Sequence, residues 1–183
     1  MSESSPIKDA LYAEIDRIGQ DKINKLLIKK EFSVIFESVF DKAVEEINED
    51  FSKDEKFGTL AESITHYLFT EMLVPSQRKI SYENIELDLV MPNTLELKRN
   101  SKNTIIVLFV KTRNMTEILN KISEIKTIQE KDDNIWVISE NSIDITQRSY
   151  LTNKTSFAKF LKDAQEFIQT KNMNKLNIFK TKV

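Results

Sequence analysis

A chain of 183 residues with 40% apolar and 31% charged side chains can bury a real core, which excludes a disordered or fibrous protein. The absence of cysteine excludes disulfides and thiolate chemistry, and a net charge of −2 neither demands nor forbids a polyanionic partner. The opening MSESSPIKDA has no secretory-signal character, and no apolar run approaches the roughly 18 residues of a membrane span, so the expectation is a soluble, cytoplasmic protein with no membrane contact.

In chain order, Ser5-Pro6 reads as a helix start, and Ile7, Leu11, Ile15 and Ile18 fall on one stripe that Gly19 ends. A longer helical region follows from Asp21, with Phe32, Ile35, Phe36, Val39, Phe40, Val44 and Ile47 recurring at three and four, the pattern of a core-facing helix. The stretch DFSKDEKF, residues 50–57, reads as a polar loop, and TLAESITHYLFTEMLV as a helix ending before Pro75. RKISY and IELDLVM are β-prone and split by a turn at Glu83-Asn84, while TLELKR reads as a further strand or hairpin arm.

TIIVLFVK, residues 104–111, is the strongest strand. Asn114 with Glu117 forms a capping-box pattern, opening a helix with Ile118, Ile122, Ile125 and Ile128 on its inner stripe. NIWVIS is a buried strand holding Trp136 in the core, Ser156 caps a last helix, and the lysine-rich end is expected to fray. The expected fold is α/β, a mixed sheet flanked by helices, because strand, helix and strand in succession imply a parallel crossover. The expected division is a helical extension over 1–56 packed on a core of 57–170, with a basic tail over 171–183.

Charge is uneven. Residues 1–60 carry 9 basic and 14 acidic side chains, whereas residues 61–183 carry 18 and 15. A basic face toward a polyanion is one reading of this, and a solvated surface the other.

Over residues 57–140 the element order and charged residues resemble the PD-(D/E)XK nuclease superfamily, whose restriction-endonuclease-like core runs α-β-β-β-α-β. The residues that carry the resemblance are Glu62 in GTLAESITHYLF, Asp88 in IELDLVMP and Lys111 in LFVKTRN. The resemblance implies binding or cleavage of nucleic acid, DNA before RNA. It also implies Mg²⁺ or Mn²⁺ held by Asp88 and Glu62, with the Val110 carbonyl as a further ligand and Lys111 positioning the attacking water. Phosphodiester hydrolysis wants such a set, because a divalent ion with hard oxygen ligands stabilises phosphate charge and activates water.

The chain departs from the pattern at Phe109, where the family carries an acid two residues before the lysine. Glu86, two before Asp88, is a substitute metal ligand, and Glu96-Leu97-Lys98 is an alternative acid-x-lysine. Arg78, Lys79, Lys98, Arg99, Lys102 and Arg113 are the expected phosphate contacts. If the site is lost, the same fold serves as an inactive module that binds nucleic acid or a protein. The acidic, phenylalanine-rich N-terminal helices are the expected face for a homodimer or protein partner. His66, four residues after Glu62, reads as a surface histidine beside a carboxylate.

Overall fold

The computed structural model describes residues 5–47 and 51–180, with the backbone alone over 172–180. Helix α1 spans Pro6–Ile18, α2 Gln20–Ile28 and α3 Phe32–Glu46. The region read as one helix from Asp21 is thus broken, with Lys30 in the left-handed region at φ 57° between α2 and α3. Ser5 begins α1 without a side-chain cap, its carbonyl instead accepting from Asp9 N–H at 2.9 Å.

Helix α4, Lys53–Glu71, starts inside the expected loop. Ser52 caps it by accepting from the Glu55 N–H at 3.2 Å, half of a capping box that the charged run concealed. Residue 50 of that expected loop lies outside the described residues. Strands β1, Gln77–Tyr82, and β2, Ile85–Met91, form a hairpin whose turn residues Glu83 and Asn84 both have positive φ, as a two-residue turn requires.

TLELKR is not a strand but the short helix α5, Thr94–Arg99. Asn93 caps it, accepting from the Glu96 N–H at 2.9 Å, so the Asn-x-x-Glu signal overrides the alternating leucines. This removes Glu96-Leu97-Lys98 as a strand-borne motif. A single 3-10 turn over Ser101–Asn103 leads into β3, Ile105–Phe109.

Helix α6, Met115–Lys126, opens at the expected capping box: Asn114 Oδ1 accepts from Thr116 and Glu117 N–H, and Asn114 Nδ2 donates to Glu117. After β4, Ile135–Ser139, comes a strand absent from the sequence reading, β5, Arg148–Leu151. Helix α7, Lys154–Lys180, is capped by Asn153 rather than Ser156, whose hydroxyl accepts from Leu151 N–H instead. Its helical backbone continues through the segment expected to fray, and residues 181–183 lie outside the described residues.

Among the described residues one mixed sheet forms in the order β1-β2-β3-β4-β5. The first three strands are antiparallel, with Leu89 opposite Val107. β3–β4 and β4–β5 are parallel, with Val107 opposite Trp136 and Val137 opposite Ser149. Two apolar clusters cover the faces: Ile105, Val107 and Phe109 face α1, α3, α4 and α7, while Ile106 and Leu108 face α6. The N-terminal helices have no core of their own, since Leu11, Phe36 and Phe40 share a cluster with Leu89 and Phe160. Among the described residues no helix is long and apolar enough to cross a membrane.

Candidate functional site

Gly58, in the second turn of α4, brings the helix onto the end of β3. A Cβ at that position would lie 2.3 Å from the Val110 carbonyl oxygen and 2.8 Å from Lys111 Cγ. Glycine inside a helix costs about 1 kcal/mol against alanine, so its presence has a packing reason here. One turn further on, Glu62 faces Lys111.

Lys111 Nζ donates to Glu62 Oε2 at 2.8 Å and to Asp88 Oδ1 at 3.3 Å. Glu62 is 1% exposed, and Arg78 Nε lies 2.8 Å from its other oxygen. That contact is ionic only, because the Arg78 N–H is not directed at the oxygen, and Glu62 Oε1 is left a buried acceptor without a hydrogen bond. The structure thus brings Glu62, Asp88, Lys111 and Arg78 together from α4, β2, the end of β3 and β1.

Asp88 stands where β2 leaves β3. The ladder runs from Met91 opposite Ile105 to Leu89 opposite Val107, and then the Asp88 carboxylate accepts the Phe109 N–H at 2.8 Å. Beyond this point β2 changes face: Leu89 and Met91 pack on the α4 side, but Ile85 and Leu87 pack with α6. Lys79, between Arg78 opposite Leu89 and Ile80 opposite Leu87, adopts φ 48°, a strained conformation for a non-glycine residue. Phe109 is 2% exposed in the α4-side core. The Val110 carbonyl is packed against Gly58.

Charge at this site leans positive by one. Burial pulls the Lys111 pKa down, but Asp88 and Glu62 outweigh it and hold the ammonium above its ordinary value. Burial lowers the pKa of Lys8 on α1, and Lys79 and Arg78 lower it further against the opposing pull of Glu62 and Asp9. Burial and Arg78 likewise push His66 down despite Glu62, so it is a neutral neighbour near pH 7. Four cations, Lys8, Arg78, Lys79 and Lys111, share this region with Glu62, Asp88 and Asp9, and the balance is positive.

Other expected site residues fall elsewhere. Glu86 is exposed on β2 and makes no ion pair with the cluster. Lys98, Arg99 and Lys102 surround a separate hollow of about 330 Å³ before β3, which at roughly 3.3 Å per residue puts them on the order of 17 Å from its other end. Arg113 is held by Asp54 at 2.5 Å, with Glu140 at 3.9 Å. Sequence reasoning missed Lys8, which has no motif to betray it, and the role of Gly58, which a lone glycine within a helical pattern does signal.

A divalent ion does not fit this arrangement. Mg²⁺ and Mn²⁺ want a shell of oxygen ligands, yet Lys111 already bridges the two carboxylates, Arg78 pairs with one of them, and the Phe109 ring is buried. Among the described residues no group of three or more His, Cys, Asp or Glu side chains is placed to hold a metal ion. No protein-family model, curated protein or solved structure matches this chain.

Proposed function

We propose that the chain is a nucleic-acid-binding module with a nuclease-like core, in which an internal ammonium stands where the related enzymes use a metal. The carrying observation is the Lys111 Nζ, 2.8 Å from Glu62 and 3.3 Å from Asp88. The order α4-β1-β2-β3-α6-β4, interrupted only by the short helix α5 and a 3-10 turn between β2 and β3 and a second 3-10 turn, Asp132–Asn134, between α6 and β4, supports a restriction-endonuclease-like core. The net positive charge, with Lys8 and Lys79 outside the Glu62–Arg78–Lys111–Asp88 ion pairs, supports phosphate as the ligand, since such contacts give affinity without reading sequence. DNA is favoured over RNA on the resemblance alone.

A second reading, a Mg²⁺-dependent endonuclease, draws on the same convergence of Glu62, Asp88 and Lys111 from three separate elements. It requires Lys111 to swing away and another carboxylate to enter. One experiment separates the two: incubation with single-stranded, duplex and branched DNA and with RNA, in Mg²⁺, Mn²⁺ and chelator, alongside an Asp88→Ala/Lys111→Ala control. The expected result is binding without cutting, its logarithm falling linearly with the logarithm of salt concentration. Lys8→Ala or Lys79→Ala is expected to shallow that slope by about one. Metal-dependent cutting that the control lacks establishes the second reading, and absence of any binding ends both.

A further inference from the structure

The outer end of the β1–β2 hairpin, residues 80–87, is held by very little. Within it Ile80 pairs with Leu87, Ser81 with Glu86 and Tyr82 with Ile85. Among the described residues it makes no hydrogen bond or ion pair to any other part of the molecule. Its remaining attachment is apolar: Leu87 is buried against the α6-side cluster, while Ile80, Tyr82 and Ile85 are only partly buried there. Few buried contacts and no outside hydrogen bonds mark a segment that opens locally.

Both ladders break at the base of this end. The β1–β2 pairing passes over Lys79, whose φ of 48° is strained, and the β2–β3 pairing stops at Leu89 opposite Val107. From there the fastening passes to the Asp88 carboxylate, which accepts the Phe109 N–H at 2.8 Å and the Lys111 ammonium at 3.3 Å. A backbone N–H beside an ammonium is also a donor pair that a phosphate oxygen takes. A groove of about 260 Å³ reaches Asp88, Phe109 and Lys111, and the Asp88 side chain is 23% exposed.

We propose that residues 80–87 form a flap hinged at Lys79 and Asp88, with the Asp88 carboxylate as its latch, an internal anion that a phosphate displaces to reach Lys111. Opening frees the Phe109 N–H and removes one of the two carboxylates on Lys111. Glu62 stays, and with Arg78 beside it the vacated position keeps a positive balance. The latch stands on hydrogen bonds and strand register alone. Its displacement by phosphate rests on the nucleic-acid reading above.

The latch is tested by amide hydrogen exchange of the full chain, resolved by residue with NMR. Phe109 and Val110 are buried neighbours, but the latch holds the Phe109 N–H and the Ile138 carbonyl of β4 holds the Val110 N–H, each at 2.8 Å. Phe109 should be protected about tenfold or more weakly than Val110, whereas fraying of the strand end would loosen both. Asp88→Asn keeps an acceptor for the Phe109 N–H but loses the charge that holds Lys111. It should lower Phe109 protection about a further tenfold and leave Val110 unchanged. Equal protection of the two amides in the unaltered protein overturns the flap with no variant needed, as does a variant that loosens both together. Inorganic phosphate should shift the amides of Phe109 and of residues 80–88, and bind Asp88→Asn about tenfold more tightly, because the competing anion is gone. Glu86→Gln removes the same charge from an exposed position on β2, and an equal gain there overturns the displacement. Shifts confined to Lys8 and Lys79, or none while DNA still binds, also overturn it and leave the nucleic-acid reading standing. Binding of neither phosphate nor nucleic acid removes that reading as well.

Discussion

Lys111 is the residue on which most of the chemistry turns, and its effect is measurable without a ligand. Its ammonium joins two carboxylates, one of them 1% exposed, so removing it strands charge away from water. Lys111→Met keeps an unbranched stem one atom shorter and loses the charge. With Arg78 still beside Glu62, urea denaturation should show a loss of about 2 kcal/mol, at the lower end for broken buried pairs. Glu62→Gln in the Lys111→Met background should recover part of that loss, and strictly additive losses would show that the two groups do not interact. The sign with pH follows from the raised Lys111 pKa. A raised folded-state value contributes stability that is fully present below the unfolded value of about 10.4 and is lost as pH climbs through the folded one. The stability gap between wild type and Lys111→Met should therefore narrow in alkali and persist at neutral pH.

At the scale of the element, α4 is the part that builds the site, and Gly58 sets its distance from β3. Intrinsic propensity predicts that Gly58→Ala stabilises a helix by about 1 kcal/mol. The structure predicts the opposite, because the new methyl meets a backbone oxygen at 2.3 Å and neither chain can yield cheaply. Overpacking of this kind costs about 1 to 3 kcal/mol, so a net loss of stability is expected in thermal denaturation. A stabilised Gly58→Ala protein would mean that α4 does not bear on β3 in solution. The helix also shows where local signals were readable. Ser52 with Glu55, Asn93 with Glu96 and Asn114 with Glu117 are the same three-residue spacing, yet only the last reads as a helix start in the sequence. The other two stand beside charged or alternating residues that look like loop and strand.

For the whole molecule, the N-terminal helices are part of the core. Phe36 and Phe40 stack at 4.3 Å between ring centres, and Phe36 reaches Phe157 on α7 at 4.9 Å. The phenylalanines expected to form an oligomer face are thus spent on intramolecular packing. Exposed large apolar side chains on the described N-terminal helices are instead Tyr12, Ile28 and Val34. Phe36→Ala should cost about 3 to 5 kcal/mol. Since Trp136 belongs to the same cluster, its fluorescence and far-ultraviolet dichroism should lose structure in one coincident transition. An early loss of helix signal with Trp136 undisturbed would make the N-terminal helices a separate unit.

The sequence alone determined the periodic features. The stripes of α1, α3 and α6, the Glu83-Asn84 turn, the buried strands around Val107 and Trp136, and a mixed sheet were legible because burial repeats at 3.6 or 2 residues. That Glu62, Asp88 and Lys111 meet is what the resemblance implied, and Phe109 is where the sequence departs from that pattern. Tertiary structure decided whatever depends on distance between elements. It brought Lys8 and Arg78 to the site, sent Glu86 and the Lys98–Lys102 group away from it, and paired the short edge strand β5 with β4. It also closed Lys111 onto both carboxylates. The physical reason is that spacing along a chain governs which face a side chain takes, while charge acts through space, and residues 49 and 23 positions from Lys111 meet it only once α4 and β2 have packed.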